Sequence, residues 1–218
     1  ETYIDTVLLM EEKGPARMSP FFITNIITNM AAGYVSILFN AKGPNCCTTT
    51  ACAASAHSIG YAVKAIRDDE ADVMFAGGSE APLVPVTVGG FNAMRALSTR
   101  NDEPERASRP FDIDRDGFII SEGSGILILE ELEFARKRGA EIYAELIGFG
   151  MSSDASHITA PSLEGPIQSM QEALRDSGLN PDEIDYINAH GTSTQLAEAI
   201  ETKAIKTVFG DVAYQIPL

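Results

Sequence analysis

Cysteine, long apolar runs and positive charge are all scarce in this sequence, and each shortage removes a class of protein. Its three cysteines, two of them adjacent at Cys46 and Cys47, suit neither a disulfide framework nor paired metal-ligand spacing. They fit reduced thiols in a cytosol-like compartment, so a cytoplasmic location is expected. No stretch reaches the roughly 18 consecutive apolar residues that mark a membrane span; the apolar runs are short ones such as Gly125-Ile-Leu-Ile-Leu129. A soluble chain without a membrane partner is expected. The 16 Lys and Arg stand against 31 Asp and Glu, a formal net charge of −15, and the cations are spread along the chain. Nucleic-acid binding needs a basic face, so that partner is not expected. Fixed-period repeats and low-complexity linkers are also lacking, which removes solenoids and beaded domains.

What remains is the composition of a globular protein, 44% hydrophobic and 22% charged over 218 residues, long enough for one large domain or two domain-sized halves. Segments rich in β-branched residues alternate with helical patterns, as in a layered α/β protein. Helices are expected over 52–67, 166–177 and 196–209, the last two stopped by Gly178 and Gly210. A short helix ends at Arg136-Lys-Arg-Gly139. Strands are expected at 71–76, 117–130, 142–151 and 184–187. A boundary near Gly139 divides the chain into 1–139 and 140–218. The start at Glu1 and the stop at Pro217-Leu218, just past a helical pattern, lead to the expectation of a fragment cut at both ends.

Two residues stand where chemistry is placed. Cys52, in Thr49-Thr-Ala-Cys52-Ala-Ala-Ser55, falls at the first turn of a helix, whose N-terminus stabilises a thiolate, and small neighbours leave room for a substrate. A nucleophile and a buried structural cysteine are both open readings on position alone. His190, in Asn188-Ala-His190-Gly-Thr-Ser-Thr194, follows a strand, and the ends of strands are where open α/β sheets bind ligands. A lone histidine there is open to a structural reading too, although Cys and His far apart in sequence are what a folded Cys/His site looks like.

Six ordered motifs bear on the choice: Thr50-Ala-Cys52-Ala, Gly77-Gly-Ser-Glu80, Ala96-Leu-Ser-Thr-Arg-Asn101, Arg109-Pro-Phe-Asp112, Arg115-Asp-Gly-Phe118 and Asn188-Ala-His-Gly-Thr-Ser-Thr194. Together they resemble the β-ketoacyl-acyl-carrier-protein synthases of fatty acid synthesis, the elongating type II enzyme above all. The resemblance implies a thiolase-like α/β fold of five layers, αβαβα, here incomplete at both ends, in a homodimer. It implies a condensing acyltransferase in which Cys52 takes an acyl group from a carrier-protein thioester and malonyl-carrier protein then decarboxylates and attacks it. His190 is implied as one of two histidines that stabilise the malonyl thioester oxygen. The second histidine and a lysine are expected beyond Leu218, so the piece alone is not expected to be active.

Residue by residue, the resemblance assigns Thr192 and Thr194 to the phosphopantetheine arm, with Thr159 as a third hydroxyl, and Phe91 to the pocket wall. Glu201 resembles a buried family carboxylate. Spacing agrees, because Ala197, Glu201, Ile205 and Val208 share one helical stripe while Glu198 falls among polar positions; an ordinary exposed glutamate is the open alternative. No cofactor or metal is implied, since phosphopantetheine arrives on the acyl carrier protein. Departures are Gln195 where proline is usual, Ala197 where glycine or asparagine is common, and Ser121 where glycine usually precedes Glu122. Rivals are a polyketide ketosynthase and a non-catalytic ketosynthase-like partner subunit; the latter lacks the cysteine present here.

Asp112-Ile-Asp114-Arg-Asp116-Gly117 imitates the start of a calcium loop, but Gly123 holds the twelfth position where a bidentate glutamate is needed. A charged turn near the site is expected instead. An acidic carrier protein approaching an acidic enzyme requires a local basic patch. Arg95, placed one helical turn from Phe91, and Arg17 are the candidates for that docking role, with ordinary solvated arginines as the alternative.

Overall fold

Hydrophobic spacing and end signals place the elements, and the computed structural model describes all residues, 1–218. In chain order the helices and strands are α1 (Thr2–Lys13), α2 (Phe22–Ile26), α3 (Met30–Phe39), α4 (Ala54–Arg67), β1 (Val73–Glu80), α5 (Pro85–Ala93), β2 (Gly123–Glu130), α6 (Leu132–Lys137), α7 (Glu164–Ser177) and α8 (Gln195–Phe209). Helix ends follow local chemistry. Glu131 caps α6 by accepting the Phe134 amide at 2.7 Å. Gly178, left-handed at φ 73, stops α7. Pro85 opens α5, where its missing N–H costs nothing.

The residues group into two compact units, Glu1–Ser79 with Ser124–Glu141, and Glu80–Gly123 with Ile142–Leu218. Glu80–Gly123 thus belongs with the later residues although it precedes Gly139. In the first unit β1 and β2 pair as a two-stranded sheet. Ser124 donates to the Gly78 carbonyl and Glu131 to that of Asp72, so partners rise along one strand as they fall along the other and the pair is antiparallel. Helix α4 buries Gly60, Ala62, Val63 and Ala65, and Ala76 of β1 is buried as well. The apolar residues of β2 are another matter: Ile126, Leu127 and Ile128 are all exposed.

In the second unit α8 contributes the core residues Ala204, Ile205 and Phe209 and packs against α7. Three expected strands change here. The ladder of β2 begins only at Gly123; before it, Phe118 makes one isolated parallel bridge with Leu97. Residues 142–151 form no ladder. They lie instead against α7, close enough that a Cβ on Gly150 would overlap the Ser169 carbonyl oxygen and one on Gly148 would approach that of Ala173 at 2.7 Å. Residues 184–187 also lack a ladder, although the Ile187 amide donates to the Pro217 carbonyl at 3.0 Å. In each case strand-like composition is present without a ladder partner.

Close approach, not flexibility, explains Gly77. At φ 152 it faces Gly125 across the sheet, and an added Cβ would overlap the Gly125 carbonyl oxygen. Gly89, inside α5, has open space around it. In the full-length protein Gly77→Ala is therefore expected to lose roughly 1–3 kcal/mol of stability through overpacking. Gly89→Ala is expected to gain about 0.5–1 kcal/mol by favouring the helix. Urea midpoints check both, and equal shifts would contradict the packing described.

Candidate active-site residues

In the first unit the chain reaches Cys52 through Thr48-Thr-Thr-Ala51. A single 3-10 turn, Ala51–Ala53, carries the cysteine and runs straight into α4. Ala51 is left-handed at φ 50, a conformation that costs a residue with a Cβ about 1–2 kcal/mol. It makes a sharp elbow, and Cys52 at its tip is exposed. The Ala53 amide donates to the Thr50 carbonyl and that of Ala54 to the Ala51 carbonyl, which closes the turn around Cys52. Cys46 and Cys47 are also free and exposed.

In the second unit the loop that carries His190 is folded tightly by two left-handed residues, Gly191 at φ 48 and Ser193 at φ 66. Two glutamates of α8 hold it. Glu201, half-buried, accepts the amides of His190 at 2.6 Å and Gly191 at 3.1 Å. Glu198, only 1% exposed, accepts the amides of Ser193, of Thr194 at 3.2 Å and of Phe111 at 2.8 Å. Its charge is balanced by Arg115, whose Nε lies 2.8 Å away. The imidazole-bearing backbone is thus hung on carboxylates, and His190 itself is exposed.

The placement of Glu198 corrects the helical-stripe reading, which left it among polar positions. Glu198, Glu201, Ile205 and Phe209 are spaced by three, four and four residues along one face of α8, and Glu198, Ile205 and Phe209 are buried. A carboxylate belongs on such a face because three amides and a guanidinium replace its water. Polarity scales cannot register that exchange.

Arg115 extends the same bracing. It also donates to the carbonyls of Thr194 at 2.8 Å, Gln195 at 2.7 Å and Asp112 at 2.7 Å. The Arg109 amide donates to the Ser193 hydroxyl at 3.0 Å and the Gly117 amide to the Ser193 carbonyl at 2.9 Å. Residues 109–117 and 190–195 therefore form one hydrogen-bonded body. Two carboxylates of the calcium-like segment are engaged by neighbours: Asp112 accepts the Asp114 amide at 2.8 Å and pairs with Arg109 at 3.3 Å. Asp116 accepts the Ser98 hydroxyl at 2.6 Å and the Thr99 amide at 3.0 Å. The Asp114 amide first, then Arg109, holds the Asp112 carboxyl below its usual range, and the Ser98 hydroxyl followed by Thr99 does the same for Asp116. No group of three acidic, His or Cys side chains is placed to hold a metal ion.

The hydroxyls of Thr192 and Thr194 come together, 3.0 Å apart. Thr159 is exposed, and the amides of Thr159 and Ala160 both donate to Nδ1 of His157 at 3.1 Å. Phe91 meets Phe118 edge-to-face with ring centroids 5.2 Å apart. Arg95 is not one helical turn along from it, because α5 ends at Ala93. Arg95 is the left-handed residue, φ 55, of a Schellman stop in which its amide donates to Asn92 and the Ala96 amide to Phe91. That turn still brings it to a concave surface of about 300 Å³ lined by Arg95, Ala96, Asp116, Gly117, Thr194, Gln195 and Leu196. Arg17 is exposed at the end of a 3-10 turn, Pro15–Arg17, in the first unit.

Comparisons with known proteins bear on both halves of this arrangement. The curated 3-oxoacyl-[acyl-carrier-protein] synthase 2 of Coxiella burnetii is 55% identical over 205 residues, which are 93% of this chain and 50% of that protein. The mitochondrial synthase of Arabidopsis thaliana is 54% identical over 213 residues, 96% of this chain and 46% of that protein. The chain thus spans about half the length of the curated relatives it matches. Among solved structures, a type II polyketide ketosynthase in complex with its acyl-carrier protein matches with a TM-score of 0.94 at 37% identity, over 99% of this chain and 55% of that one. A β-ketoacyl synthase of Burkholderia phymatum matches with a TM-score of 0.91 at 39% identity, over 96% and 52%. The fold is accordingly the thiolase-like α/β fold of the ketosynthases. The family profile for the N-terminal domain of β-ketoacyl synthases matches residues 1–135 and that for the C-terminal domain residues 143–218; with Cys52 in the first and His190 in the second, the chain belongs to the β-ketoacyl synthase family.

Proposed function

We propose that the complete protein is a condensing enzyme of fatty acid biosynthesis, a 3-oxoacyl-acyl-carrier-protein synthase. The observation that carries this reading is Cys52, an exposed thiol at the tip of a left-handed elbow where a helix begins. Its thiolate attacks the carbonyl of an acyl-carrier-protein thioester, and the carrier thiol leaves with a proton. Malonyl-carrier protein then loses carbon dioxide. The enolate carbon attacks the acyl carbonyl on Cys52, the thiolate departs, and 3-oxoacyl-carrier protein is released. His190 donates from Nε2 to the malonyl thioester oxygen while its negative charge develops. No cofactor is required, because the phosphopantetheine arm enters with the substrate.

The higher identity to curated fatty-acid synthases than to the polyketide ketosynthase, 55% against 37%, favours the fatty-acid pathway. Acyl carrier protein as partner is supported by that polyketide neighbour, which was solved with its own carrier. Thr194 and Arg95 line one concavity, which suits a pantetheine arm held by Thr192 and Thr194 with a basic residue beside its entrance. Thr159 serves as a third hydroxyl, Phe91 as a wall of the acyl pocket, and Arg17 as a second docking cation. The working unit is a homodimer in the cytoplasm. For the chain itself, no helix is long and apolar enough to cross a membrane.

Mass spectrometry of the full-length protein, after incubation with acyl-carrier protein or a cerulenin-type epoxide, is expected to place the adduct on Cys52. An adduct on Cys46 or Cys47 with Cys52 untouched would overturn the assignment. His190→Ala should retain acylation of Cys52 while malonyl decarboxylation falls about a hundred- to a thousand-fold, as when one oxyanion donor is lost. Unchanged decarboxylation removes His190 from that step. Arg95→Glu should raise KM for acyl-carrier protein and leave a small pantetheine thioester nearly unaffected, since only the carrier brings an acidic surface. The defect should shrink at 1 M salt, where screening acts over roughly 3 Å. Equal losses with both substrates would mean that Arg95 supports the pocket rather than docking.

A further inference from the structure

The elbow that carries Cys52 is held from both sides by groups to which the condensation gives no task. On the approach, the Thr48 hydroxyl donates to the Ala54 carbonyl at 2.8 Å. The Thr50 hydroxyl lies 2.7 Å from Nδ1 of His57. These bonds tie the chain just before the nucleophile to the first turns of the helix just after it. Between the two anchors stands Ala51 at φ 50, a conformation that an unrestrained alanine abandons. Either imidazole tautomer can make the bond to Thr50, by accepting from the hydroxyl or donating to it.

His57 can serve as a post only if α4 itself is fixed, and it is. The Gly77 amide donates to the Ser58 hydroxyl at 3.2 Å. A side chain on Gly78 would displace the Ser55 hydroxyl, which overlaps the place its Cβ would take. Ser55 and Ser58 flank His57 on the helix, so its backbone is registered against β1 on both sides. Any movement of the elbow away from α4 must break the Thr50–His57 bond.

We propose that Thr50 and His57 form a positioning pair for Cys52: the imidazole, acting through the Thr50 hydroxyl, keeps Ala51 left-handed and the thiol in attack geometry. The role assigned to His57 is positioning rather than activation of the thiol, and it is exerted through Nδ1, the nitrogen in contact with Thr50. This inference rests on the reading of Cys52 as the acyl acceptor.

The test uses the full-length protein and two rates, acylation of Cys52 from acyl-carrier protein and decarboxylation of malonyl-carrier protein, the step assigned to His190. In Thr50→Val and His57→Ala, acylation is expected to slow roughly ten- to a hundred-fold, the scale of an ångström of misplacement. Decarboxylation should stay at the wild-type rate. Thr50→Ser, which keeps the hydroxyl, and His57→Asn, which keeps a polar atom near the Nδ1 position, should recover most of the loss. Wild-type protein that is never acylated at Cys52 would sink the functional reading itself. Wild type acylated normally, with Thr50→Val and His57→Ala equally fast, overturns the positioning pair alone. A parallel fall in both rates that the conservative variants do not rescue also overturns it, since the pair would then serve folding only.

Discussion

A buried carboxylate organises the second unit. Glu198 is removed from water almost completely, and an isolated ionised carboxylate in that position would be costly by several kcal/mol. Three amides and the Arg115 guanidinium offset the cost. The donors come from residues 111–115 and 193–194, segments that have no regular structure to hold them. Geometry that a sheet would otherwise impose is imposed here by one side chain of α8, and removing it would take the carboxylate acceptor from three amides.

The two glutamates of α8 divide the labour. Glu198 holds the loop at Ser193 and Thr194, and Glu201 holds it at His190 and Gly191. The loop's left-handed residues, Gly191 and Ser193, are themselves two of these attachment points. Ser193 has a Cβ, so its conformation has to be stabilised by surrounding contacts; its buried hydroxyl, carbonyl and amide all have partners. The hydroxyls of Thr192 and Thr194 are consequently presented side by side on a backbone with little freedom.

Much of this was legible in the sequence where a local signal existed. Helices α7 and α8 carry periodic apolar faces and glycine stops, and they lie where spacing puts them, within two residues. The nucleophile's turn and the His190 loop were legible through motifs. Other features had no local signal. Helices α2 and α3 have no glycine stop of the kind that marks α7. Residues 142–151 have strand composition but no ladder, because pairing depends on a neighbour rather than on propensity. Glu198 was misplaced because its burial is set by donors nearly ninety positions earlier in sequence, Phe111 being separated from it by 87 residues.

The place of Arg95 is set by a turn rather than by a helix face. The helix on which it was placed ends before it, and a left-handed Schellman stop turns the chain there. A helical Arg95 would project from the face of α5 that carries Phe91. The turn instead leads directly into Ala96 and the bridge between Leu97 and Phe118, so Arg95 borders the same concavity as Thr194. Phe118 in turn meets the ring of Phe91. The neighbourhood of Arg95 is therefore set by the pairing of 96–98 with 118, and its distance from the threonine pair depends on the Gly117 amide that donates to Ser193. Gly117 must be glycine for that pairing, because a Cβ there would overlap the Leu97 carbonyl carbon. A single close backbone approach thus joins the basic residue to the hydroxyl-bearing loop.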